Sequence, residues 1–372
     1  MNQTETELST RIKSYIRDTG PIPVSEYMSL CLLDPTHGFY PTRDPLGSDG
    51  DFITAPEISQ MFGEVLGLWV IQSWMDIGKP RRFNLVEMGP GRGIMMADMM
   101  RTILLDPECI SAVRVHLIEV SAALEAVQGE SLADTPASIS WVKSLSDLPD
   151  DPTIIIGNEF LDCLPIRQAV QRDPFAKEKG WHERLVGLDD DGHFRFQIDA
   201  VPLSPTLQAL LPEGHEDARK DDLVELCPPV YQIMDEIKPL FSNHPGRALF
   251  IDYGPEGTEF GDTLQALKRH EKIGVFDQPG DSDLTARVNF GALVSAAQQV
   301  ELSPSTIVTQ AEILSKLGIE MRAVTLTRHK STAKPKILRQ LHRLMDAQEM
   351  GQLFKALCIS ANGLPTPLGF RE

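Results

Sequence analysis

The run Glu87-Met88-Gly89-Pro90-Gly91-Arg92-Gly93 is the part of the chain best suited to chemistry. It follows a strand-like stretch, 83–89, and opens a helical pattern from about 93 to 104. Glycines at such a junction permit a tight turn and let a ligand approach the main chain closely. The helix start adds amides without internal partners and a positive dipole end, which suit a carboxylate or phosphate. Ile94 stands where the third small residue of a dinucleotide fingerprint belongs. The acid ending the next strand, Glu119, comes later than the roughly 20 residues of that fingerprint. Glu87 discriminates further. A carboxylate repels a pyrophosphate but attracts an ammonium or sulfonium. Glu119 suits a ribose, because a carboxylate accepts from both hydroxyls. The pattern fits S-adenosyl-L-methionine better than NAD, with Glu87, Gly89, Gly91, Gly93 and Glu119 as cofactor-binding candidates.

A second polar group closes another strand. Asn158-Glu159-Phe160 ends the apolar run 153–160, and Asp162 lies just beyond. Ligands of open α/β sheets bind outside the carboxyl ends of strands, so Asn158 is expected at the cofactor and Glu159 at its junction with the substrate.

These residues need a scaffold. From residue 82 onward, strands alternate with helices: 83–89, 113–120, 139–142, 153–160 and 247–254 read as strands, with helices between several of them. Alternation of this kind predicts a doubly wound α/β sheet. The run 153–160 is apolar on both faces and is expected near its centre. Ahead of the sheet, 8–20 and 24–33 read as helices, 34–57 as a loop rich in Gly and Pro, and 58–77 as a helix. The chain divides into an N-terminal helical and substrate or lid segment, 1–80, and a main domain, 81–372. Insertions interrupt that domain at about 163–226, with short antiparallel strands, and at about 255–290, where the chain is loop-rich. Helices at about 290–300, 310–317 and 335–347 and a strand near 352–359 complete it.

Composition excludes several classes. The chain has 372 residues and 53 acidic against 35 basic side chains, for a formal net charge of −18. That balance disfavours nucleic-acid phosphates and anionic membrane surfaces and suits a cationic partner. No apolar run is long enough to span a bilayer. The five cysteines contain no CxxC pair and the nine histidines no HExxH, so no metal site is expected. The N-terminus lacks the marks of a secretory signal or transit peptide, which suggests a bacterial cytoplasmic protein, or a mitochondrial matrix one if a targeting segment has been removed.

The motifs HGFY (37–40), GDFITAPEIS (50–59), VEMGPGRG (86–93), HLIEVS (116–121), GNEFLDCLP (157–165), IDYG (251–254) and DLTARVNF (283–290) occur in this order. Together they resemble the MidA-like family of S-adenosylmethionine-dependent methyltransferases, related to the mitochondrial complex I assembly-factor arginine methyltransferase. The likeness runs from about residue 25 to 370. It implies a class I, Rossmann-like methyltransferase sheet with an N-terminal helical and loop extension and an inserted β-rich region. It also implies a protein substrate with an accessible arginine and a role in complex I assembly. Methylating a guanidinium calls for carboxylates to hold it and help remove a proton. Glu159, Asp162 and Glu57 are the catalytic candidates. Tyr40, Asp51, Phe52 and Thr54 are candidates for a substrate or lid surface, with Phe39 beside them.

Two rivals remain open from the sequence. One is a small-molecule methyltransferase using the same cofactor site. The other is a non-catalytic assembly or binding protein on a methyltransferase scaffold. Met95, Met96, Met99 and Met100 are read as helix packing, and His37 as a turn-stabilising residue.

Overall fold

The computed structural model describes residues 5–42, 54–172, 180–269, 271–329 and 331–371. Its contacts divide the chain into two compact units, each assembled from three stretches of sequence. One comprises 1–52, 162–232 and 257–292, and the other 53–161, 233–256 and 293–372.

The second unit is built on an eight-stranded sheet. Its order is Ser303–Pro304, Phe354–Ser360, Gly246–Tyr253, Thr153–Asn158, Phe83–Met88, Val113–Ile118 and Ser138–Val142, with Val308–Thr309 also paired to Phe354–Ser360. The five strands from Gly246–Tyr253 to Ser138–Val142 run parallel, and Phe354–Ser360 is antiparallel to its neighbour. The chain starts at Phe83–Met88, moves outward on one side through Val113–Ile118, then returns to the other side at Thr153–Asn158. The sheet's switch point therefore lies at the carboxyl ends of Phe83–Met88 and Thr153–Asn158, where such sheets bind ligands. Every residue of these two strands is buried. That agrees with the two-sided apolar pattern of 153–160 and with the expected α/β class.

Glycine spacing determines how the helices cover this sheet. Gly63 and Gly67 lie in the helix Gln60–Asp76, which packs on Ile94–Ile103. A Cβ on Gly63 would meet Asp98 Cβ at 2.5 Å, and one on Gly67 would meet the Met99 carbonyl oxygen at 2.7 Å. The missing side chains let the backbones approach closely. Met95, Met96, Met99 and Met100 fill the core with Phe62, Leu66 and Trp69, each buried apolar side chain contributing about 1.5–3 kcal/mol. The Glu64 carboxylate adds a two-pronged pair with Arg322, both bonds at 2.8 Å. Thus Gln60–Asp76, placed by sequence in the N-terminal segment, packs within the unit that holds the main sheet.

The first unit carries two smaller sheets. In one, Gly180–Leu188 pairs antiparallel with Arg167–Arg172, Phe194–Pro202 and Ile22–Pro23, and Arg167–Arg172 pairs with Leu223–Leu226. The other is Glu271–Ile273, Gln265–Lys268 and Asp283–Thr285. Leu8, Ile12 and Ile16 of Glu7–Thr19 and Tyr27 and Met28 of Val24–Leu33 share a core with Val186, Phe194 and Leu284.

Candidate functional site

The strand Phe83–Met88 runs into a turn where Gly89, Gly91 and Gly93 have φ of +62°, +52° and +76°. Side-chain-bearing residues adopt that region rarely. The turn is closed by the Gly93 amide on the Pro90 carbonyl at 2.8 Å. It is also crowded, since a Cβ on Gly89 would stand 2.8 Å from the Phe160 ring. Gly93 leads the helix Ile94–Ile103 without a side-chain cap, and the first-turn amide of Met96 is directed at Glu87.

Glu87 sits under this turn, 2% exposed, with its Oε2 lacking a partner among the described residues. Burial pushes its carboxyl up to about 8, and the Met96 amide opposes the shift. A buried carboxyl in such surroundings gains from an adjacent cation. Glu119 differs. Its Oε1 accepts from the Val120 and Ser121 amides, both at 2.8 Å, and its Oε2 from Gln128 Nε2 at 2.9 Å. Burial raises its pKa, while the Ser121 amide, Gln128 and Lys143 pull it down. Gln128, fully buried, also donates to the Gly91 carbonyl at 2.7 Å and accepts from Trp141 Nε1 at 2.7 Å.

Across the switch point, Asn158 is buried and its Oδ1 has no partner among the described residues. Its Nδ2 donates to Glu159 Oε1 at 3.1 Å, and the Ala55 amide donates to the same oxygen at 2.8 Å. Ala55 opens the short helix Ala55–Ile58, which carries Glu57. Burial raises the Glu159 carboxyl to about 7; the charges of Asp252 and Glu57 add to the shift and the Ala55 amide opposes it. Glu159, Glu57 and Asp252 thus form one acidic group beside the glycine turn. Thr54 is the N-cap of that helix, its carbonyl accepting from the Glu57 and Ile58 amides at 3.0 and 3.1 Å.

Asp162 and Tyr40 belong to the other unit. The Tyr40 hydroxyl donates to Asp283 Oδ1 at 3.0 Å. Burial, then the charges of Asp283, Cys163 and Asp162, raise its pKa. Residues of the motifs 37–40 and 283–290 therefore meet Asp162 and Cys163 within that unit. His37 follows a turn in which Asp34 accepts from the Thr36 and His37 amides at 3.1 and 2.9 Å. Asp51 and Phe52 lie outside the described residues. Asp252 and Gln128 join the site without a role expected from sequence. Asp252 ends an apolar strand inside the IDYG motif, a legible signal, whereas Gln128 occupies an ordinary helical position.

A family profile described as "Putative S-adenosyl-L-methionine-dependent methyltransferase" matches residues 65–308. The chain belongs to this family of methyltransferases. Its cofactor is S-adenosyl-L-methionine. Curated relatives include the mouse "Protein arginine methyltransferase NDUFAF7, mitochondrial", 34% identical over 365 residues, spanning 91% of this chain and 81% of the relative. The human protein of that name is 35% identical over 363 residues, spanning 91% and 80%. A crystal structure from Burkholderia thailandensis bound to S-adenosyl-homocysteine superposes with a TM-score of 0.81 at 25% identity, covering 97% of this chain and 93% of that one. The methyltransferase fold and cofactor expected from the sequence hold. The bacterial cytoplasmic assignment does not, because the curated relatives are mitochondrial proteins. Charge balance does not distinguish these compartments. Among the described residues, no helix is long and apolar enough to cross a membrane.

The site fits the cofactor on its own geometry. The Glu87 oxygen without a partner among the described residues suits an ammonium, the turn is built of glycines at positions where a Cβ would meet Phe160 or Gln128, and the Glu119 carboxylate stands at the end of the neighbouring strand.

Proposed function

We propose that this methyltransferase modifies an arginine nitrogen of a partner protein, in the complex I assembly setting that the resemblance implies. The observation that carries the reading is the group of Glu159, Glu57 and Asp252 beside the glycine turn. Clustered carboxyls of this kind suit a cation that must be held and deprotonated, and the curated relatives are named as protein arginine methyltransferases.

The bound cofactor supplies a methyl group activated on a sulfonium sulfur. The chain's residues do the rest. Gly89, Gly91 and Gly93 form the cradle, Glu87 faces the ammonium, Glu119 accepts from the ribose hydroxyls, and Asn158 lines the junction with the acceptor. Glu159 and Glu57 hold the guanidinium, whose charge favours their ionised forms. As the nitrogen acquires its methyl group, Glu159 takes the proton it loses. A carboxyl raised to about 7 is better matched to that transfer near neutral pH than an ordinary one. Positioning supplies much of the acceleration in a displacement at carbon.

The test is transfer of labelled methyl from S-adenosyl-L-methionine to arginine-containing proteins, with acid hydrolysis to identify the product. Glu159→Gln is expected to lower transfer about 10²–10⁴-fold, the range for a proton-transfer group, while binding S-adenosyl-homocysteine as the parent does. Full transfer by that variant, or methyl recovered only on another residue type, would sink the reading.

A further inference from the structure

Glu159 has φ of +49°, a left-handed conformation uncommon for a residue with a side chain. Its own amide remains in the sheet, donating to the Ile251 carbonyl at 2.9 Å. The next two amides leave it. Those of Phe160 and Leu161 both donate to Asp252 Oδ2, at 3.1 and 2.8 Å. The other oxygen, Oδ1, accepts from the Tyr253 amide at 2.8 Å. Asp252 itself is fully buried, at the carboxyl end of the strand Gly246–Tyr253, beside Thr153–Asn158. A buried carboxylate meeting three main-chain amides needs no cation to stay ionised. Its charge then acts on whatever acid lies next to it.

We infer that Asp252 is the positioning residue of the acid site: it fixes the turn at Glu159 by accepting from the two amides that follow. This rests on the reading of Glu159 given above. An apolar residue at 252 would orphan those amides and release the turn. The Glu159 carboxyl would then lose the direction imposed by Ala55 and Asn158. The charge of Asp252 supplies a second coupling. Among the described residues, the groups acting on Glu159 are the Ala55 amide, Asn158, Asp252 and Glu57; of these, Asp252 and Glu57 favour its protonated form, and removing Asp252 removes part of that bias.

The test is Asp252→Asn, with Asp252→Ser as a second variant, using carbon-13 label in the glutamate carboxyls and a Glu159→Gln control to assign the Glu159 signal. In Asp252→Asn, whose amide oxygen can still accept from the two amides, the Glu159 titration is expected to move to lower pH; in Asp252→Ser, which releases the turn, loss of the Ala55 and Asn158 contacts opposes that shift. Methyl transfer should fall through kcat by about 10²-fold, the scale of a small misplacement, with S-adenosyl-homocysteine affinity within about twofold of the parent. An unshifted Glu159 titration in folded Asp252→Asn, or undiminished transfer by folded Asp252→Ser, overturns the inference. If Glu159→Gln transfers methyl normally, the catalytic reading of Glu159 fails, and the titration alone then decides the role of Asp252. If neither Asp252 variant folds, amide hydrogen exchange in the unaltered chain decides. Protection of Phe160 and Leu161 supports the inference, and exchange at open-chain rates refutes it.

Discussion

Gln128 donates to Glu119 Oε2 at 2.9 Å and, from the same nitrogen, to the Gly91 carbonyl at 2.7 Å. One buried amide thus ties the glycine turn to the acid of the neighbouring strand. Its oxygen is committed to Trp141, so rotating the amide group would break all three contacts. Replacing it with leucine leaves the Trp141 N–H and the Gly91 carbonyl without this partner in a partly buried setting. An orphaned polar group costs about 1–3 kcal/mol. Gln128→Leu should therefore lower thermal stability and weaken S-adenosyl-homocysteine binding about tenfold or more. Calorimetric titration with a parallel melting curve checks both. Unchanged affinity would separate Glu119 from the cofactor.

Much of this arrangement was legible in the sequence because its signals are local. Gly89, Gly91 and Gly93 announce a turn that only glycine adopts easily, and the strand periods on either side place it at a strand-to-helix junction. The run 153–160 reads as central because both of its faces are apolar. What escaped depends on contacts between distant segments. Gln128 reaches the turn from a helix whose pattern carries no special mark. Asp252 and Leu161 lie 91 positions apart. The helix Pro228–Asn243 is not among the elements expected from sequence; it opens on paired prolines, which are tolerated in a first helical turn. The helix Ile319–His329 was also missed.

Close helix contact gives a stability prediction away from the cofactor. A Cβ on Gly67 would lie 2.7 Å from the Met99 carbonyl oxygen and 2.8 Å from Thr102 Cβ. The first of these is main chain and yields only if the helices separate. Gly67→Ala gains helix propensity of about 1 kcal/mol, against an overpacking cost of about 1–3 kcal/mol. Gly67→Val adds bulk without that propensity gain and should lose more. Chemical denaturation should rank the parent above alanine and alanine above valine. A variant as stable as the parent would show that the helix pair can part at little cost.

Glu87 yields a pH dependence whose sign follows from its shift. Its folded pKa, about 8, lies above the ordinary value of 4.5. The stability this group contributes is therefore fully present below about 4.5 and is lost as pH rises through about 8. Melting curves of the ligand-free chain should decline over that interval more steeply than those of Glu87→Gln, which cannot ionise. Cofactor binding runs the other way. An ammonium beside Glu87 favours the carboxylate, so binding near neutral pH releases a proton, and affinity rises toward pH 8. The apparent binding enthalpy should then vary with the ionisation enthalpy of the buffer, and this variation should vanish in Glu87→Gln. If the parent and the variant show the same buffer dependence, Glu87 does not face the ammonium.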